Sequence, residues 1–223
     1  MAIHLIKANA LLVEPCKTGT TWMQHALRAA GIETAQPETL LQCCLRHSFP
    51  TNYAGTYDAV ISPVRHPDSW LVSFYDYFAA RSPENWQAGR FYAQKCFGHM
   101  PPTFAEFVAQ ATPHVRDYWE GFLMPATHVI CQEHLRDDFA AVLTELGYDP
   151  EQLEKMDDVP WQNVHDEVSS WDDVPESVRL DYWEQTSWIS EAHYEQLAGH
   201  GGQGDGQGSA GSEAVEPVAE VPE

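Results

Sequence analysis

The sequence predicts an α/β fold: a mainly parallel β-sheet flanked by helices. Two observations carry this. Short apolar runs alternate with amphipathic stretches between residues 10 and 148, the rhythm of strand–helix–strand units. The amphipathic stretches also carry helix punctuation, with Gly31 and Gly147 as stops and Thr103-Phe-Ala-Glu106 as a capping box.

Taken in order, residues 10–13 read as a short buried strand and 21–30 as a helix closed by Gly31. Residues 40–45 are a second strand candidate that also fits a helix. Residues 57–62 ("YDAVIS") make a better strand, ended by Pro63, and 69–80 an aromatic-rich helix. Another helix opens at the Thr103 box. Residues 127–131 ("THVIC") form a strand, and 135–146 a helix closed by Gly147. Beyond 150 the chain is Trp-rich and acidic, with helices expected near 176–184 and 190–198. Seven of the fourteen residues from 199 to 212 are Gly, and no Lys or Arg follows Arg179. Such a composition buries too little apolar surface to offset ordering entropy. The expected organisation is one domain over 1–198 and a disordered, acidic tail over 199–223.

Charge divides the chain. The 223 residues carry a formal charge of −21; residues 1–136 have ten basic and eleven acidic groups, whereas 137–223 have two basic and 22 acidic. The rear would repel nucleic acid and anionic membranes, so neither is an expected partner. Five scattered cysteines without a CxxC pair argue against a disulfide scaffold or zinc ribbon and for a reducing, cytoplasmic compartment. No membrane-length apolar run and no metal-ligand spacing is present, so no metal is expected.

The densest chemical signal is "EPCKTGTTW", Glu14 to Trp22. Set between a strand and a helix, its small residues let backbone N–H groups converge, and a helix N-terminus favours an anion. Lys17 adds a point charge, and Thr20 and Thr21 add hydroxyls. The bland alternative is a strand-to-helix turn with a Thr cap and a solvated Lys. Lys17 precedes Gly19 and no earlier Gly exists, so the GxxxxGK[ST] loop of nucleotide triphosphatases does not match.

The order Pro-x-Lys-Thr-Gly-Thr-Thr-Trp resembles the 5′-phosphosulfate loop of sulfotransferases that use 3′-phosphoadenosine 5′-phosphosulfate (PAPS). A second motif is similar too: Arg65 follows a strand, and Ser73 comes eight residues later before "FYDYF", as in that family's 3′-phosphate motif. A guanidinium fork and a hydroxyl near a helix start suit a phosphate dianion. Read singly, Arg65 could be a surface ion-pair residue and Ser73 a helix-face filler. A third echo is Glu133-x-Leu135, then Asp138 and Leu146-Gly147; the aromatic expected before Glu133 is Gln132 instead.

The resemblance, which spans about residues 10–148, implies a P-loop-like fold with the phosphate-binding strand–loop–helix at the N-terminus. It implies that Lys17, Thr18, Gly19, Thr20 and Thr21 hold the 5′-phosphate, that Trp22 packs beside the adenine, and that Arg65 and Ser73 hold the 3′-phosphate. PAPS would be the cofactor, 3′,5′-adenosine bisphosphate its product, and a hydroxyl or amine of a small molecule, carbohydrate or peptide the acceptor. Lys17 would stabilise the leaving phosphate. The base would be His47, from "LRHSFP", or Glu38, and both stay open. The family's C-terminal Arg-Lys-Gly segment has no counterpart; Arg81, Arg90 and Lys95 are candidate substitutes. The rival readings are a catalytically degenerate nucleotide- or partner-binding module and a P-loop kinase. The kinase reading lacks both a GK[ST] order and a Mg²⁺ carboxylate after a strand.

Overall fold

The computed structural model describes residues 2–38, 48–79, 103–161 and 169–194. The strand expected at 40–45, His47, the cations Arg81, Arg90 and Lys95, and the 199–223 tail lie outside the described residues. Five described strands form one sheet: β1 (Ile3–Leu5), β2 (Ala10–Leu12), β3 (Thr34–Ala35), β4 (Ala59–Val64) and β5 (His128–Cys131), in the order β3-β1-β2-β4-β5. Helices α1 (Thr20–Ala29), α2 (Pro67–Ala79), α3 (Phe104–Leu123), α4 (Leu135–Glu145), α5 (Pro150–Leu153) and α6 (Glu176–His193) complete it. Among the described residues no helix is long and apolar enough to cross a membrane.

The sheet is mixed rather than mainly parallel. β2, β4 and β5 run parallel, but β1 pairs antiparallel with both β2 and β3. The cause is a hairpin ahead of the first loop, turned at Asn9 with φ 45. The Asn9 amide donates to the Thr56 carbonyl (3.1 Å) and the Asp58 carboxylate (3.2 Å), fixing the start of β2 against the start of β4.

Strand alternation sends neighbouring side chains to opposite faces. Leu11, Val13 and Val64 meet Trp70, Phe74, Phe107, Tyr118 and Tyr182 from α2, α3 and α6. Ala10, Leu12 and Ile61 meet Trp22, Met23, Leu27, Phe139 and Leu143 from α1 and α4. Each fully buried large side chain stabilises the fold by about 1.5–3 kcal/mol. The result is a sheet with helices on both faces, as the element rhythm predicts.

Two local expectations change. Pro63 does not end β4, which continues to Val64. Val13 N–H donates to the Ile61 carbonyl and Thr127 N–H to the Val60 carbonyl, so odd positions of β4 face β2. β2 ends at Leu12, and the N–H that Pro63 lacks would point where no strand remains. The two C-terminal helices are one: α6 runs unbroken with Tyr182, Thr186 and Ile189 buried along one stripe, the buried Thr186 hydroxyl being satisfied by the Tyr182 carbonyl (3.0 Å). The capping box forms as expected, the Thr103 hydroxyl accepting from Glu106 N–H (3.3 Å) and donating to the Glu106 carboxylate (3.0 Å).

Candidate functional site

The three motif segments leave the carboxyl ends of the three parallel strands β2, β4 and β5, which are direct neighbours. Ligands of open α/β sheets collect at this edge.

The first loop is held by its backbone. Cys16 N–H donates to the Tyr118 hydroxyl (2.9 Å), and the Trp70 indole N–H donates to the Cys16 carbonyl (2.8 Å). The two rings stack with centroids 5.1 Å apart. Glu14, 1% exposed, accepts from the Gln24 amide. Lys17 (φ 65) and Gly19 (φ 77) take left-handed backbone, and Thr18 between them does not. Such alternation turns successive N–H groups toward one side and makes a concavity suited to an anion. Gly19 is also sterically required, since a Cβ there would lie 2.4 Å from Leu135 Cδ2. Gly19 is the N-cap of α1 and, having no side chain, makes no cap bond there; Met23 N–H makes the first helical bond to the Gly19 carbonyl (3.2 Å). The N–H groups of Thr20, Thr21 and Trp22 therefore precede the helical ladder. The Lys17 ammonium sits 4.2 Å from the centroid of the Tyr77 ring.

Two members of the motif are turned elsewhere. The Thr18 hydroxyl is fully buried and donates to the Pro15 carbonyl (2.8 Å), so only the Thr18 backbone faces the cradle question. Trp22 is 1% exposed and donates to the Val159 carbonyl (3.1 Å). Its ring lies 5.2 Å from Trp161, and the Arg136 guanidinium is 5.5 Å away. The exposed ring is Trp161, at 47%.

The second segment is built from side chains. Arg65 Nε donates to the Ser69 hydroxyl (3.0 Å), which donates to the His66 carbonyl (3.2 Å). Ser73, half-buried, lies one turn beyond Ser69 on α2. Ser69 is absent from the sequence reading, although the Arg65–Ser69–Ser73 spacing of four was there to find.

The third segment is a tie. Glu133 accepts from His66 N–H (3.0 Å) and from the Tyr194 hydroxyl (2.8 Å), and Asp138 accepts from Cys131 N–H (2.8 Å). The end of α6 is thereby bound to the loop carrying Arg65. Burial, then the Asp138 and Glu133 carboxylates, pushes the Cys131 thiol up to about 12, so it stays protonated. Burial, then Glu133, also raises Tyr194, and burial lowers His193. An open pocket of about 250 Å³ lies beside this tie, between His66 and Asp68 of the α2 start and Trp183, Ser190 and Glu191 of α6.

Glu38 is exposed. Register puts Ala35 opposite His4 and His4 opposite Leu11, so β3 runs parallel to β2 and carries the chain toward the same sheet edge, two strands to the side. The Glu38 carbonyl accepts from Ala54 N–H (2.7 Å), and its charge reinforces the burial that raises Tyr57. His47, the other candidate base, is outside the described residues. No known protein family, characterised protein or solved structure matches the chain.

Proposed function

We propose that the chain is a sulfotransferase that takes the sulfonate of PAPS and delivers it to a hydroxyl or amine acceptor. One observation carries the reading: the Lys17 loop and the Arg65–Ser73 motif follow adjacent parallel strands. A bisphosphorylated ligand lying across that edge would have a donor set for each phosphate. The fit differs between its parts. The alternating backbone at Lys17–Gly19 and the uncapped start of α1 suit a phosphate. Arg65 and Ser73 suit a second. The adenine contact expected of Trp22 does not fit as it stands, since Trp161 covers that ring.

PAPS, when bound, supplies a sulfonate on a leaving 5′-phosphate. Lys17 and the first N–H groups of α1 would hold that phosphate and meet the charge it gains as the S–O bond breaks. Arg65 and Ser73 would fix the other end, keeping the reacting oxygens in line. Glu38 or His47 would take the acceptor proton as the new O–S bond forms.

Calorimetry with adenosine 3′,5′-bisphosphate tests this. The wild type is expected to bind, and Lys17→Ala and Arg65→Ala each to weaken binding about ten- to a hundredfold, the range for a lost charged hydrogen bond. Absence of wild-type binding would overturn the reading. Tight binding without sulfonate transfer to any member of a hydroxyl library would favour the second reading, a nucleotide-binding module. That alternative draws on the buried Thr18 hydroxyl and the covered Trp22.

A further inference from the structure

We propose that Tyr77 is a positioning residue for Lys17, aiming its ammonium at the anion bound by the first loop. The proposal rests on that loop being a phosphate cradle. Ser69, Ser73 and Tyr77 follow at intervals of four along α2, so they form one stripe on the helix surface. The stripe begins where Arg65 meets Ser69 and ends where Tyr77 lies under Lys17, 4.2 Å from ammonium to ring centroid. From Ser69 to Tyr77 the helix rises about 12 Å. A single helix face therefore touches the basic residue of both phosphate motifs.

The choice of an aromatic ring has a chemical consequence. A carboxylate would orient the ammonium but cancel its charge toward an incoming anion. A tyrosine face attracts the cation through its quadrupole without itself carrying a neutralising charge. The ring also restricts a four-carbon stem whose rotamer freedom would otherwise be lost on anion binding. The left-handed backbone of Lys17 (φ 65) points the same way. A non-glycine residue is strained there, and the strain is retained at the residue whose direction matters.

The test is a titration of adenosine 3′,5′-bisphosphate against Tyr77→Phe, Tyr77→Leu, Lys17→Ala and the Lys17→Ala/Tyr77→Leu double variant. Tyr77→Phe keeps the ring face and is expected to bind within about twofold of wild type. Tyr77→Leu is expected to bind about three- to fivefold more weakly. The double variant is expected to bind no more weakly than Lys17→Ala, because the ring acts through the ammonium. Wild-type affinity in Tyr77→Leu, or losses that add in the double variant, overturns the assignment. If Tyr77→Leu does not fold, ¹³C-dimethylated lysines of the wild type decide: only four lysines exist. Lys17 methyls are expected upfield of those of Lys155, and unshifted methyls overturn the proposal. Should the wild type refuse the bisphosphate, the sulfotransferase reading falls alone. Pyrophosphate titrated against the same variants then decides Tyr77 by the same ratios, and refusal of both anions overturns both.

Discussion

The loops after β2 and β4 sit on neighbouring strands and are built in opposite ways. The first is made of backbone: left-handed turns at Lys17 and Gly19, an uncapped helix start, and two core aromatics gripping the Cys16 peptide. The second is made of side chains, with Arg65 reaching Ser69 along an ordinary helix. A backbone site is costly to misfold and hard to erase with one side chain. A side-chain site can be erased without disturbing the fold.

The largest expected effect breaks the first loop. Gly19→Ala combines a disfavoured φ with a Cβ driven against Leu135, and should cost about 2–4 kcal/mol in denaturant unfolding. Arg65→Ala, on the same measurement, should change stability by about 1 kcal/mol or less. Equal losses would erase the contrast. A smaller effect sharpens it: Lys17→Gly should be more stable than Lys17→Ala by about 1 kcal/mol, because glycine accepts φ 65 and alanine does not. The reverse order would show that the turn relaxes without its lysine.

The smallest effect concerns the tie at the end of α6. Burial lowers His193 from its ordinary 6.5, so below that pH the unfolded chain binds the proton more readily than the folded one. Stability associated with neutral His193 is complete above pH 6.5 and is lost as pH falls through the folded value. Melting temperatures of wild type and His193→Gln, compared between pH 7.5 and 5, should therefore diverge, with the wild type falling faster. Parallel profiles would exclude His193 as a contributor.

Much of this architecture was legible in residue order. The strands at 10–12, 59–64 and 128–131 announce themselves by short apolar runs, and the Thr103–Glu106 cap by its spacing. The hairpin of β1 was not legible, since three residues are too few to carry a period. Nor was the unbroken α6, whose single buried stripe of Tyr182, Thr186 and Ile189 depends on the helices it packs against. Within the candidate site, the Lys17 loop and the Arg65–Ser73 segment were readable because the residues of each are close in sequence. The cover over Trp22 was not, because Val159 and Trp161 come from more than 130 residues away. Ser69 and Tyr77 fall between these cases: their helical spacing was visible, but nothing in sequence ties Tyr77 to Lys17.

The grip on Cys16 also has a consequence in time. Its N–H and C=O are both taken by side chains of the hydrophobic core, Tyr118 and Trp70. Exchange of that amide requires its bond to the Tyr118 hydroxyl on α3 to open. In a hydrogen-exchange experiment this loop position should keep its proton about as long as the central strands do, marking a connecting segment that opens with the core rather than ahead of it.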